Sequence, residues 1–148
     1  HLSPQWAPET YIDETKFPPD DRSYGWERGT TISKAWDNAT TESALDASNY
    51  VSTQWEELAK TNLKDPKANE KAKAFLKQFA RLAFRKPLTD DLEKLYVQRP
   101  LETTPDLQAG IKKGVLLILK SQRFLFRELA LDGDQYDVAS RLSFALWD

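Results

Sequence analysis

Residues 65–87, DPKANEKAKAFLKQFARLAFRKP, decide the fold. Ala72, Phe75, Leu76, Phe79, Leu82 and Ala83 recur at helical spacing and make an inward stripe. Lys73, Lys77, Arg81 and Arg85, each four residues from the last, make an outward one. Asp65-Pro66 supplies a capping acid and a proline at the first helical position, and Pro87 forbids continuation, so this is an amphipathic helix ending at Arg85.

Working outward, the same reading applies on both sides. Upstream, Leu45, Tyr50, Val51, Trp55 and Leu58 fall near one face of a helix over about 42–61, with Thr41 or Ser43 as its N-cap. Downstream, Thr89 caps a short third helix whose first turn holds Asp90, Asp91 and Glu93, where the positive end of the dipole favours acids. Leu92, Leu95 and Tyr96 belong to it and Pro100 is expected to close it. Thr104-Pro105-Asp106 opens the longest helix, about 105–129, whose middle is apolar on nearly every side and which should therefore be the central one. After Asp132-Gly133-Asp134 a fifth helix starts near Gln135, with Asp137 and Arg141 spaced for an i,i+4 pair and no stop signal before Trp147.

Residues 1–40 differ in kind. Pro4, Pro8, Pro18, Pro19, Gly25 and Gly29 interrupt any period, yet Trp6, Tyr11, Phe17, Tyr24, Trp26 and Trp36 are too many aromatics for a solvated linker. These side chains need a surface, on the helices of this chain or on a partner. The expected architecture is all-α, about five helices in an irregular bundle preceded by an aromatic-rich extended arm, with the arm over 1–40, a helical bundle over 41–131, and at 132–148 the first helix of a following, truncated domain.

Composition narrows the chemistry. The 148 residues are 40% hydrophobic and include five Trp, five Tyr and seven Phe, enough for one core without a disulfide or a structural metal. The longest apolar run, Val115 to Leu119, falls far short of the ~20 residues that span a bilayer, so no transmembrane segment is expected. With no Cys, disulfides, thiolate ligands, cysteine nucleophiles and the C-x-x-C-H haem attachment are excluded. With no Met and one His, the usual axial haem pairs go too, so no cofactor is expected within this chain. A chain that opens on His1 and holds no Met is expected to have lost its original start.

Local constellations stay on the bland side. His1 could chelate copper through its amine and imidazole, but the brace needs a second His. Asp132, Asp134 and Asp137 around Gly133 lack the twelve-residue calcium pattern and read as a loop with a helix N-cap. Asp13, Glu14, Asp20 and Asp21 read as solvated turn acids. Adjacent acids such as Glu56-Glu57 point to different helix faces and do not form an acid/base pair. No catalytic residue and no metal ligand is assigned.

The net charge of −2 conceals a split: residues 1–59 hold eleven acids against four bases, and residues 60–127 hold sixteen bases against seven acids. The Lys73, Lys77, Arg81, Arg85 stripe, which Lys112, Lys113, Lys120, Arg123 and Arg127 could extend, suits an acidic partner domain. A nucleic-acid role is not expected, because no motif supports it and the pI is about 5.5. The candidate partner-binding residues are Trp6, Trp26, Trp36, Lys73, Lys77, Arg81, Arg85 and Trp147.

Two stretches also carry a resemblance. Residues 75–90, FLKQFARLAFRKPLTD, look like the "F-x-x-R-A-F-R-R-P-L-T-D" domain of large secreted multidomain proteins abundant in planctomycetes and found in other bacteria. Residues 121–127, SQRFLFR, and 136–147, YDVASRLSFALW, are similar to the "S-P-R-F-L-Y-R" and "D-Y-E-L-A-S-R-L-S-Y-F-L-W" signatures that open the next domain, with Gln122 in place of the usual Pro. The match runs from about residue 72 onward. Such helical domains of unknown function often adjoin c-type cytochrome modules. The resemblance therefore implies a periplasmic or extracellular setting, partners in the remainder of the same polypeptide or another subunit, and any c-type haem in an adjoining domain or chain. It carries over no catalytic residue. Two functional expectations follow: a non-catalytic helical scaffold or interaction module of a secreted, cytochrome-associated assembly, or the N-terminal part of a haem- or metal-dependent oxidoreductase whose active site lies elsewhere.

Overall fold

The computed structural model describes residues 34–126 and 134–147. Among these, every regular element is helical, as expected: α1 Lys34–Thr53, α2 Trp55–Leu58, α3 Ala68–Phe84, α4 Asp90–Glu93, a π-helical turn Lys94–Gln98, α5 Arg99–Glu102, α6 Leu107–Leu119, α7 Gln122–Leu125 and α8 Gln135–Trp147. Short gaps and distortions divide five helical stretches into these pieces.

The first stretch begins earlier than the sequence pattern indicates. Residues 34–40, assigned to the arm, form the opening turns of α1, and Thr41 and Ser43 lie inside the helix rather than capping it. The reason is a buried face made of small residues, Ala39, Ala44, Ser48 and Ser52, which carries almost no hydrophobic signal. Small side chains let backbones approach closely, and α1 makes its most extensive contact with α6. The Gln108 side-chain amide crosses this interface and donates to the Ser52 carbonyl at 2.9 Å. Near its end α1 bends: Ser52 Oγ donates to the Asn49 carbonyl and Thr53 Oγ1 to the Asn49 and Tyr50 carbonyls, competition that loosens a helix turn. Trp55, fully buried in α2, lies edge-on to Phe75 with centroids 5.4 Å apart.

The second stretch holds the expected helix with two corrections: α3 begins at Ala68 with Lys67 at the N-cap, so Pro66 is not its first helical position, and its stripe differs. Ala68, Ala72, Leu76, Ala80 and Phe84 are buried, whereas Leu82 is 64% exposed. Asp65 forms a turn just ahead of α3, accepting from the Lys67 N–H, and Arg85 closes the helix in the left-handed region at φ 60°.

Pro100 does not close the third stretch. The helix runs on to Glu102 because its turn widens first: the Arg99 N–H donates to the Lys94 carbonyl five residues back. A proline ring crowds the carbonyl four residues behind it and brings no N–H, and the wide turn accommodates both defects. The same stretch carries Tyr96, whose ring meets Phe84 edge-on at 5.1 Å and whose hydroxyl lies 2.9 Å from Ser121 Oγ.

In the fourth stretch, Asp106 is the N-cap, its carboxylate accepting from the Ala109 N–H at 2.9 Å. α6 is central, packing on α1, α3 and α5. It does not run on to 129: the helix ends at Leu119 with Lys120 as its C-cap, and Ser121 caps a separate turn, α7, by accepting from the Arg123 N–H. Two glycines set the helix spacing. A Cβ on Gly110 would lie 3.2 Å from the Leu101 backbone, and one on Gly114 would lie 2.7 Å from Leu76 Cδ1. The resulting core joins Val51 and Trp55 to Leu76, Phe84, Val97, Leu101, Ile111, Val115 and Ile118.

α8 starts at Gln135, as expected. Asp137 is buried beside Lys86, with Oδ1 3.7 Å from the ammonium, so its ion pair runs to a residue two positions past the end of α3. The Arg141 side chain, its expected partner, lies outside the described residues.

Candidate functional site

The candidate surface has two parts, one cationic and one apolar. The cationic part is the solvent side of α3, where Lys73, Lys77 and Arg81 are exposed and four residues apart; Arg85, also exposed, is the left-handed C-cap just past the helix and not part of that helical row. Lys77 reaches Glu93 at the start of the third stretch, N to O 2.6 Å, so part of the ridge is balanced within the fold. Such an exposed pair contributes only about 0–1 kcal/mol and can be exchanged for another acid. Alongside runs a second row, Ala74, Gln78 and Leu82, which is also exposed. The expected extension of the ridge through α6 does not form one stripe, because Lys113 donates to Thr103 Oγ1 and Lys120 binds Asp37 at 2.9 Å. Arg127 lies outside the described residues.

The apolar part is on α8. Val138, Leu142 and Leu146, spaced by four, are 51%, 58% and 80% exposed. At its start α8 is linked to the bundle by the Lys86–Asp137 pair, and its first turn is capped by Asp134, whose carboxylate accepts from the Tyr136 and Asp137 N–H groups at 2.9 Å each. The Asp137 N–H is the main reason that Asp134 is held below the ordinary carboxylate range; the Tyr136 N–H and the Lys86 ammonium add to it, and partial desolvation opposes it. Asp134 thus caps α8, whereas Asp132 and Gly133 lie outside the described residues. Asp65 is lowered likewise, first by its hydrogen bond from Lys71.

Of the expected aromatic contacts, Trp36 is half-buried, its ring 5.5 Å from Phe126, so it serves the fold at the start of α1. Trp6 and Trp26, with His1 and the acids of the arm, lie outside the described residues, as does the side chain of Trp147. One feature was missed from the sequence: a shallow basin, wide open to solvent, lined by Asp91, Lys94, Leu95, Gln98, Arg99 and Glu102. Their three- and four-residue spacing was its only signal. The basin mixes both charges along the third helical stretch, from α4 through the π-helical turn to α5.

Among the described residues, no group of three or more His, Cys, Asp or Glu is placed to hold a metal ion. No helix among them is long and apolar enough to cross a membrane. Ser43 Oγ, Trp55 Nε1 and Asp137 Oδ2, on α1, α2 and α8, are buried without a hydrogen-bond partner among the described residues. Comparison with protein-family models, with curated proteins and with solved structures finds no match for this chain.

Proposed function

We propose that this chain is a helical scaffold or interaction module that acts by positioning another protein body against α8. The observation that carries the proposal is the row Val138, Leu142 and Leu146, three branched apolar side chains exposed on consecutive turns of one helix. Solvated helix faces do not usually present such a row, and contiguous apolar surface of this kind marks a place where proteins meet. Taking such a side chain from full exposure to full burial contributes about 1.5–3 kcal/mol, and these three, already partly buried, would each supply the share that matches their remaining exposure.

The finer part of the proposal rests on the motif resemblance. The partner body would be the remainder of the same polypeptide or another subunit of a secreted, cytochrome-associated assembly in a periplasmic or extracellular setting. Any haem would be held there.

The test uses the purified chain. A hydrophobic dye should bind it, or the chain should self-associate, and Leu142→Lys with Leu146→Lys should suppress either behaviour. A monodisperse monomer that ignores the dye would overturn the proposal.

A further inference from the structure

We propose that the acidic, aromatic segment 1–33 of this chain docks on the cationic outer face of α3. The inference concerns a different surface from the α8 row and stands independently of it.

Charge complementarity comes first. Residues 1–33 hold six acids, Glu9, Asp13, Glu14, Asp20, Asp21 and Glu27, against three bases. The α3 face offers Lys73, Lys77 and Arg81 at exposed positions. An acidic segment arriving there can exchange with Glu93 for Lys77, whose side chain remains 56% exposed within its present pair.

Apolar complementarity follows. The acids of the segment are interleaved with Trp6, Tyr11, Phe17, Tyr24 and Trp26. Beside the cationic row of α3 lies Leu82, 64% exposed, in line with Ala74 and Gln78. A ring laid over Leu82 covers apolar surface and also meets the flanking Lys and Arg groups in cation–π geometry.

The third argument is where the segment joins the fold. The first turn of α1 is fixed near the junction of α6 and α7, by Trp36 against Phe126 and by Asp37 against Lys120. α7 in turn packs against α3. A chain entering at Lys34 therefore starts from the side of the fold where α6 meets α7, and 33 residues at ~3.3 Å each span on the order of 100 Å, more than the width of a fold of this size. The ridge from Lys73 to Arg81 is ~12 Å long at 1.5 Å per residue, whereas the segment can extend by ~3.3 Å per residue, so it reaches with length to spare. Tethering supplies an effective concentration on the order of millimolar, sufficient for contacts that would be weak between separate molecules.

Because the chain has no native Cys, one introduced cysteine takes a spin label at a single known place. Gln78→Cys puts the label on the α3 face, and the indole N–H signals of Trp6 and Trp26 report the segment in the full chain. At low ionic strength at least one of these signals should lose intensity about threefold or more, and should recover in about 0.5 M salt, where the Debye length is only a few ångströms. Lys73→Glu with Arg81→Glu should abolish the loss, with the buried Trp55 indole signal unshifted as proof that the core persists. The proposal is overturned if neither signal weakens, if the weakening survives charge reversal, or if it arises only between labelled and unlabelled molecules, which would assign the ridge to a second copy.

Discussion

Gly114 is where one residue type governs how closely two helices pass. Leu76 is fully buried, and a Cβ at Gly114 would lie 2.7 Å from its Cδ1 and 3.0 Å from its Cδ2. Both atoms belong to a side chain enclosed on all sides, so the clash must be relieved by moving α3 or by forcing Leu76 off its rotamer. Alanine in place of glycine gains about 1 kcal/mol of helix propensity, and overpacking a filled core costs about 1–3 kcal/mol. Gly114→Ala is therefore expected to lower stability by about 1 kcal/mol net, as read from the denaturant midpoint. Shrinking the neighbour makes room, so the combination with Leu76→Val should lose less than the sum of the single losses. A simple sum, or a Gly114→Ala protein more stable than the parent, would show that α6 does not rest on Leu76.

At the scale of the element, α8 depends on its first turn. Asp134 caps it, and its carboxyl is held below the ordinary range chiefly by the Asp137 N–H, with Lys86 nearby. A depressed folded-state pKa means that the cap's contribution is fully present above the unfolded value, about 3.9, and is lost as pH falls through the lower folded value. Asp134→Asn keeps an acceptor for the same N–H groups and removes the titration. The stability advantage of the parent over this variant should thus be constant near neutrality and shrink below about pH 4. An advantage that persists undiminished in acid would assign the effect to something other than the cap. Elements of this kind were partly legible in the sequence: Thr89 and the start at Gln135 are marked by capping residues, whereas Thr104-Pro105-Asp106 marks the opening of α6 only to within two residues, Asp106 being its cap. The start of α1 was not, because its buried face of Ala and Ser leaves no apolar periodicity to read. Pro100 misled for the opposite reason, since a strong local stop signal was overridden by a wide turn that only tertiary packing around Val97 and Leu101 makes worthwhile. The two candidate surfaces differ in the same way. The α3 ridge follows directly from four-residue spacing, whereas the exposure of Val138, Leu142, Leu146 and Leu82 depends on what lies opposite them.

For the molecule as a whole, the distinction that matters is between apolar side chains that build the core and those that do not. Residues of α1, α2, α3, the π turn, α5 and α6 share one buried cluster, so loss of any of them should be felt by all. Leu76, in the middle of it, has no exposed surface, and Leu76→Ala should cost about 2–5 kcal/mol through lost transfer energy and the cavity left behind. Because the cluster is continuous, the variant should still unfold in one transition, with far-ultraviolet dichroism and tryptophan fluorescence reporting the same midpoint. Leu142, equally large and equally apolar, is 58% exposed. Leu142→Lys should move the midpoint by no more than about 0.5 kcal/mol, the usual range for a surface change, while reducing dye binding. The pair of results separates stability from recognition on chemically matched side chains. Should Leu142→Lys destabilise the chain as much as Leu76→Ala does, the α8 row would be part of the core, and the case for an interaction face there would fall with it.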